Sequence, residues 1–137
     1  MSDAPGLGSF GASRPVERPA LPLSLDAWVT LAGVDPLPLL NDEDRLLLGV
    51  NVFEPGETFT NHFHRVLTET FIGLSGEIEV WLDSSSRHVL AAGEVLSVPP
   101  GVEHFLRNVR QSRAVIAYLK SPNAPDDRIE LPWTPST

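Results

Sequence analysis

His62 and His64 stand two residues apart in a segment with the composition of a β-strand. Because strand side chains alternate between faces, both rings project from the same side, ~6.6 Å apart along the strand. Two imidazoles on one face can share a metal ion that lies about 2.0–2.1 Å from each ring nitrogen. Two ligands seldom hold a metal, so the pair predicts a site only if further ligands reach it.

Glu69 and His104 are the residues best suited to complete such a site. Glu69 opens the otherwise apolar segment ETFIGL, where a carboxylate is costly unless a positive group accompanies it. His104 follows a Pro-Gly turn and precedes two apolar residues, which suggests a semi-buried position. An ordinary surface role fits His88, and Glu69 alone could pair with Arg65. The joint pattern of three histidines and one carboxylate favours a single metal site.

The elements that must position these side chains are short strands. From residue 45 onward, runs typical of strands alternate with turns rich in Gly, Pro and Ser, which indicates an all-β sandwich or barrel. The eight runs are LLLGVNVF, TFTNHFH, ETFIGL, EIEVWL, RHVLAA, EVLSVP, EHFLRN and RAVIAYLK. Before them, residues 24–34 predict a short helix with Ser24 as its N-cap.

Composition divides the chain into three parts. Residues 1–24 are rich in Pro, Gly and Ser and predict a flexible arm. Residues 25–120 form the predicted β-barrel domain, and residues 121–137 form a Pro-rich tail that we expect to run along the surface.

Charge and composition exclude several classes of protein. The 137-residue chain has a net charge of −8 and no cysteine. The absence of cysteine excludes disulfides and thiolate ligands and favours a cytoplasmic location. The negative charge argues against nucleic-acid binding, because phosphate binding needs clustered Lys and Arg. No apolar run approaches the roughly 20 residues that cross a bilayer, and the N-terminus shows no secretory signal, so we expect no membrane partner.

Two groups of residues with fixed spacing resemble the two motifs of the cupin superfamily. The first motif reads G-x5-H-x-H-x4-E-x6-G and the second reads G-x5-P-x-G-x2-H-x3-N. Sixteen residues separate the two groups, as in small single-domain microbial members. The matching residues are Gly56, His62, His64, Glu69 and Gly76 in the first motif, and Gly93, Pro99, Gly101, His104 and Asn108 in the second.

The resemblance implies an all-β, single-domain jelly-roll barrel that holds one divalent transition metal ion through His62, His64, Glu69 and His104. Four protein ligands in an octahedral field leave two positions for water, oxygen or substrate, which suits a catalytic metal. Imidazole and carboxylate ligands accept Fe, Mn, Ni, Co, Cu or Zn, so the identity of the metal stays open. We expect the motif glycines to occupy turns and Asn108 to have a structural role.

Strand alternation predicts which residues line a substrate pocket. If the His-x-His pair faces inward, Thr60 faces inward too. The same alternation brings in Phe71 beyond Glu69 and Leu106 beyond His104. This lining is largely apolar and lacks Arg and Lys, which favours a small neutral or aromatic molecule that chelates the metal.

Three functions remain open. The first, which we rank highest, is a metal-dependent oxidoreductase of the dioxygenase type, in which Glu69 is also a catalytic residue that shuttles a proton. The second is a non-redox isomerase, cyclase or lyase, in which the metal polarises a carbonyl group. It ranks lower because no acid–base group is evident beside the ligands, the only tyrosine, Tyr118, being on the last strand. The third is a non-catalytic protein that binds a small molecule.

We also expect a homodimer. Phe59, Phe63, Ile72 and Leu74 are predicted to face outward near the site and to form an apolar patch that needs a cover. A second subunit or the arm of residues 1–24 could supply it, and exchange of the arm between subunits would supply both.

Overall fold

The computed structural model describes residues 24–34 and 38–136. It confirms the predicted all-β class, and each of the eight predicted runs overlaps one strand from β2 to β9. The predicted arm lies outside the described residues except for Ser24. The elements are α1 (Leu25–Val34), β1 (Leu40–Asp42), β2 (Leu46–Phe53), β3 (Thr58–His64), β4 (Thr68–Ser75), β5 (Glu77–Leu82), β6 (Ser86–Ala91), β7 (Val95–Val98), β8 (His104–Arg107), β9 (Ala114–Ser121) and β10 (Arg128–Glu130).

The strands form two antiparallel sheets of five strands each. Their orders are β1-β2-β9-β4-β7 and β10-β3-β8-β5-β6. Buried apolar side chains of both sheets make one core, so the sheets pack face to face as a jelly-roll sandwich. The core residues are Phe53, Phe71, Ile78, Val80, Leu90, Val98, Leu106, Ala114 and Ile116. Within the described ranges, the structure contains no helix whose length and apolar character would let it span a membrane.

Helix α1 begins at the predicted cap. The Ser24 Oγ accepts a hydrogen bond from the Ala27 backbone N–H at 3.1 Å. The Ser24 carbonyl accepts another from the Trp28 N–H at 3.0 Å. The first bond satisfies an amide that would otherwise lack a partner in the first turn, and the second is the first backbone bond within the helix. The helix packs against β2.

The motif glycines occupy turns, as predicted. At Gly76, between β4 and β5, an added Cβ would lie 2.5 Å from the Arg113 carbonyl oxygen. Only glycine therefore fits this turn without displacing β9. The four motif glycines in turns have positive φ angles, which other residues rarely adopt. The angles are 86° at Gly56, 69° at Gly76, 85° at Gly93 and 85° at Gly101.

Asn108 has the predicted structural role. Its Nδ2 donates to the carbonyls of Phe53 and Ser112, each at 2.9 Å. Its Oδ1 accepts from the Arg110 N–H, also at 2.9 Å. The side chain thus ties the loop after β8 to the end of β2.

An irregularity in β3 reverses the direction of two predicted side chains. The register with β8 shifts between Phe59 and His62, so that three steps along β3 match two along β8. Such a bulge breaks strand alternation. Thr60 is therefore exposed, while the Phe59 ring packs against Phe53 with centroids 4.9 Å apart. The predictions that Thr60 faces inward and Phe59 outward are wrong for this reason.

Strand β10 lies within the segment predicted as a surface tail. Arg128–Glu130 pair antiparallel with His62–His64, so the second sheet extends to residue 130. Beyond it, the Trp133 ring packs edge-on against Trp81 and Phe105, at 5.8 and 6.2 Å between centroids. The C-terminal segment thus flanks the strand that carries the histidine pair.

Candidate metal centre

Four buried side chains from three strands meet between the two sheets. His62 and His64 lie on β3, His104 is paired with His62 at the start of β8, and Glu69 lies near the start of β4. Their candidate ligand atoms all lie within 4.8 Å of one another. The exposed fractions of these side chains are 5% or less. The structure therefore brings together the four predicted ligands.

Each histidine ring is oriented by a backbone carbonyl that faces its Nδ1. The three pairs are His62 with Thr60 at 2.7 Å, His104 with Val102 at 3.0 Å and His64 with Asp127 at 3.2 Å. Because a carbonyl oxygen only accepts, each ring keeps a hydrogen on Nδ1. In a neutral ring, the lone pair of Nε2 is then directed into the cluster, as in proteins whose histidines bind metals.

The three Nε2 atoms converge on the Glu69 carboxylate. Its Oε1 lies 3.1 Å from His64 Nε2, 3.2 Å from His104 Nε2 and 4.0 Å from His62 Nε2. Ligand atoms about 2.1 Å from one metal in an octahedron lie ~3.0 Å apart when adjacent and ~4.2 Å apart when opposite. The observed spacing fits a single ion.

The charge states of the ligands also favour a cation. Burial, reinforced by the charge of His104, lowers the pKa of His62 to about 3, so this ring is neutral at neutral pH. Burial by itself raises the pKa of Glu69, but its contacts with His104 and His64 and the charge of Lys120 outweigh burial and hold the pKa well below its usual range. The neutral His62 directs its Nε2 lone pair at the ionised Glu69 carboxylate from 4.0 Å, and the two repel each other unless a cation lies between them. These residues could therefore hold the predicted metal ion.

The residues given ordinary roles are not members of the cluster. His88 on β6 is exposed, and its Nε2 lies 2.8 Å from the Ser86 Oγ. Arg65, the alternative partner for Glu69, is exposed, whereas Glu69 is buried. The structure thus separates these two residues from the ligand set.

A cavity of about 170 Å³ opens beside the cluster. The prediction of a lining without Arg or Lys is wrong, since Lys120 and Arg128 both line it. Lys120 is paired with Glu69 between β9 and β4, and Arg128 with His64 between β10 and β3, so strand pairing brings each cation near a ligand. The lining residues are Asn51, Phe59, His62, Glu69, Tyr118, Lys120 and Arg128.

The three residues predicted to line a substrate pocket are not among those that line this cavity. Thr60 is exposed because of the bulge in β3. Phe71 and Leu106 are 1% and 0% exposed and belong to the apolar core. The Phe71 ring meets His104 edge-on at 5.9 Å between centroids, so it supports a ligand from behind, and contact of Phe71 or Leu106 with a substrate stays a prediction.

Tyr118 is a candidate functional residue that the sequence reasoning missed. It is paired with Gly49 on β2, where an added Cβ would lie 2.3 Å from the Tyr118 Oη, so only glycine leaves room for the phenol. Burial, reinforced by the charge of Glu69, raises the pKa of Tyr118, so the hydroxyl keeps its proton at neutral pH. The available signal was the spacing Tyr-x-Lys, which directs Tyr118 and Lys120 to one face of a strand, as in the His-x-His pair.

Asp127 fixes the turn that follows His64. Its Oδ1 accepts from the Arg65 N–H at 2.8 Å. Its Oδ2 accepts from the N–H groups of Val66 and Leu67 at 2.8 and 2.9 Å. Since its backbone carbonyl faces the Nδ1 of His64, this one residue links the C-terminal segment to the orientation of a candidate ligand.

Comparison with known proteins agrees with this geometry. A family model described as Cupin domain matches residues 49–119, just over half of the chain. The matched segment includes His62, His64, Glu69 and His104. The chain therefore belongs to the cupin family.

Individual relatives match this chain over only part of their own length. Protein SchB of Streptomyces halstedii is 35% identical over 78 residues, which cover 57% of this chain and 56% of SchB. Polyketide synthase CurC of Streptomyces cyaneus is 32% identical over 78 residues, which cover 57% of this chain and 50% of CurC. The chain thus spans about half the length of these curated relatives. Among solved structures, oxalate oxidase in complex with the substrate analogue glycolate is 26% identical, with a TM-score of 0.57 over 63% of this chain and 46% of that chain.

Proposed function

We propose that this protein is a metal-dependent enzyme that binds a small oxygen-chelating molecule and moves a proton without net oxidation, as an isomerase, cyclase or lyase. The observation that carries the proposal is the presence of Tyr118 in the wall of the cavity that also contains His62 and Glu69. General acid–base chemistry needs a proton carrier within reach of the reacting atoms. Tyr118 is such a proton carrier, whereas the sequence offers no reason to expect an acid–base group beside the ligands.

The four ligands and Tyr118 have separate tasks in this proposal. His62, His64, His104 and Glu69 would hold the ion, which when bound supplies a Lewis acid that polarises a carbonyl oxygen. The low pKa of Glu69, which its contacts with His104 and His64 and the charge of Lys120 maintain against burial, suits a ligand better than a proton carrier. The catalytic role predicted for Glu69 therefore passes to Tyr118.

The surroundings of Tyr118 suit a proton donor. Its raised pKa, caused by burial and by the charge of Glu69, keeps the O–H intact at neutral pH. Gly49 leaves space for the hydroxyl group. The Lys120 Nζ lies 5.6 Å from the centre of the phenol ring, where its charge would stabilise the negative charge that develops on the phenol oxygen during proton transfer.

The relative CurC supports a first class of substrate to test. CurC is named a polyketide synthase, and polyketide chains carry β-dicarbonyl units that enolise and chelate metals through two oxygens. A small β-dicarbonyl compound would offer both the chelating oxygens and a mobile proton. Tyr118 would donate its proton to a carbonyl oxygen as the enol forms, a water molecule would accept the proton released from the carbon, and the phenol would regain a proton from solvent.

Oxygen chemistry of the dioxygenase type is the second candidate function. The likeness to oxalate oxidase supports it, and the same four ligands could hold a redox-active metal. This function would not by itself require Tyr118, because oxidation of a chelated substrate does not need a proton donor at that position.

Proton exchange measured without oxygen tests the proposal. The protein, loaded in turn with zinc, manganese or iron(II), is incubated anaerobically in D₂O with acetoacetate, and exchange or bond cleavage is followed by proton NMR. We expect rates above background for the wild type and a loss of about 100-fold for Tyr118→Phe, since general acid–base groups contribute that much or more. His88→Ala is the control and should retain the wild-type rate, and both variants should keep their metal.

Other outcomes point to the other functions. Turnover that requires oxygen would move the assignment to the second candidate. A Tyr118→Phe variant as fast as the wild type would contradict the role given to Tyr118. Saturable binding without turnover under any metal and gas condition would favour a non-catalytic binding protein.

A further inference from the structure

The chain contains a single lysine, and this lysine lines the cavity. Within residues 24–34 and 38–136, the Lys120 side chain forms no hydrogen bond and no ion pair shorter than 4.0 Å, and its Nζ lies over the Tyr118 ring. Ammonium groups away from open solvent are normally paired with an anion. The wall of the cavity therefore carries a cation that is free to pair with an anionic ligand.

Arg128 lines the same cavity from the other sheet. Lys120 lies on β9 and Arg128 on β10, strands that belong to different sheets. The Arg128 Nη2 lies 3.0 Å from the Glu130 carboxylate, but the two side chains are 38% and 59% exposed. An exposed pair of this kind contributes little free energy because water screens it. Arg128 can therefore turn to a ligand at small cost.

The charges that line the cavity favour an anion. Two cations face one carboxylate, Glu69, which gives an excess of +1, and a divalent ion would raise it to +3. This positive region lies in a chain whose net charge is −8. A neutral ligand would displace water from the Lys120 ammonium without offering it a negative charge in return.

We propose that the substrate is a small carboxylate, whose carboxylate group binds between Lys120 and Arg128 while a second oxygen atom reaches the metal position. A cavity of about 170 Å³ is comparable to the ~150 Å³ cavity that holds benzene, so the part of the ligand inside it has about six to eight non-hydrogen atoms. The excess of +1 on the lining side chains matches the single charge of a carboxylate, and inorganic phosphate is the competitor that the test includes. This inference rests on the proposed function for the metal, and it differs from the neutral or aromatic ligand expected from the sequence.

The single lysine provides a direct probe of this site. Reductive methylation with ¹³C-formaldehyde labels Lys120 and the terminal amine and keeps both charges, and the Lys120 resonance is assigned from its absence in Lys120→Met. Zinc-loaded protein is titrated with lactate and with lactamide, a neutral analogue that differs only in the amide. We expect lactate to shift the Lys120 resonance with saturation and lactamide to bind at least about tenfold more weakly, because it lacks the charge that the two cations recognise.

Matched variants test the two cations by calorimetry with lactate on unlabelled zinc-loaded protein. Lys120→Met and Arg128→Met should each weaken lactate binding about tenfold or more, since each removes one charge-assisted partner. Arg45→Met is the control, because Arg45 is 78% exposed and pairs with Asp42, and it should bind as the wild type does. Circular dichroism and zinc content are measured on every variant, and a variant that loses either is replaced by Lys120→Gln or Arg128→Gln.

The outcomes separate this inference from the proposed function. Equal binding of lactate and lactamide, wild-type affinity in both cation variants, or tighter binding of inorganic phosphate than of lactate would each overturn the carboxylate site. A shift of the Lys120 resonance by lactate in protein that holds no metal would support the anion site and show that carboxylate binding does not need the ion, while proton exchange remains the test of the metal-dependent function. Carboxylate selectivity that depends on zinc and on both cations would support the two together.

Discussion

Replacement of Asp127 by Asn should weaken both the fold and the metal site. In the wild type, two carboxylate oxygens accept hydrogen bonds from three backbone amides at 2.8–2.9 Å. An asparagine side chain keeps one acceptor oxygen and presents an NH₂ group to the other amides. At least one buried donor then loses its partner, and the remaining bonds lose their assistance from charge.

The cost follows from these contacts. One unsatisfied buried donor costs about 1–3 kcal/mol, and the loss of charge assistance adds roughly 1 kcal/mol, which together lower the free energy of unfolding by about 2–4 kcal/mol. For a domain of this size, this corresponds to a fall in the melting temperature of about 10 °C. Because the Asp127 carbonyl also orients His64, we expect metal affinity to fall about 10- to 100-fold, as for other outer-shell partners of metal ligands.

Thermal unfolding followed by circular dichroism, with and without chelator, measures the first effect, and competition with a metal indicator dye measures the second. Asp126→Asn is a matched control, since Asp126 is the exposed neighbour of Asp127 and the change in charge is the same. If Asp127→Asn unfolds and binds metal as Asp126→Asn does, the role assigned to the three amide contacts is refuted.

Three further predictions concern other parts of the molecule. Gly49→Ala should displace Tyr118, because the new Cβ would lie 2.3 Å from its hydroxyl oxygen. The rate of proton exchange should then fall while the metal content stays unchanged. An exchange rate equal to that of the wild type would show that the phenol has no fixed position. Glu79→Gln should lower the melting temperature at neutral pH, because two arginines outweigh burial and lower the pKa of Glu79 below its ordinary 4.5. A lowered folded pKa means that this stabilisation is present above pH 4.5 and is lost as the pH falls through the folded pKa, so the difference from the wild type should vanish in acid; a difference independent of pH would contradict the ion pairs. The homodimer predicted from the sequence should give a mass of about 30 kDa by light scattering, twice the 14.9 kDa of one chain, and a monomer would contradict it.

Regular spacing made the ligands and most strands predictable. His62 and His64 share one strand, Glu69 follows after one short turn, and turns with glycine at Gly76, Gly93 and Gly101 lie between Glu69 and His104. Their relative positions therefore follow from the order of residues. The eight predicted runs match β2 to β9 for the same reason, since turn residues bound each of them.

The walls of the cavity were less predictable, because they depend on contacts between distant segments. The bulge between Phe59 and His62 arises from pairing with β8, and nothing within β3 itself marks it, so simple alternation placed Thr60 on the wrong face. Arg128 reaches the cavity through a three-residue strand in a Pro-rich segment, too short to show a period. Tyr118 and Lys120 were predictable from their spacing, but only once the last strand was known to border the ligands.

The dimer interface predicted from outward apolar residues now rests on fewer of them. Phe59 lines the cavity, whereas Phe63, Ile72 and Leu74 are partly buried. Light scattering therefore tests a smaller apolar patch than the one first predicted.

Metal stoichiometry tests the central claim most directly. The wild type, His104→Ala and His88→Ala are purified without chelators or metal-affinity columns, and the metal bound per chain is measured by elemental analysis. The structure predicts about one transition metal ion per chain in the wild type and in His88→Ala, and almost none in His104→Ala, because removal of one buried ligand leaves the other three without a complete set. Metal content in His104→Ala equal to that of the wild type would contradict a site built from His62, His64, Glu69 and His104.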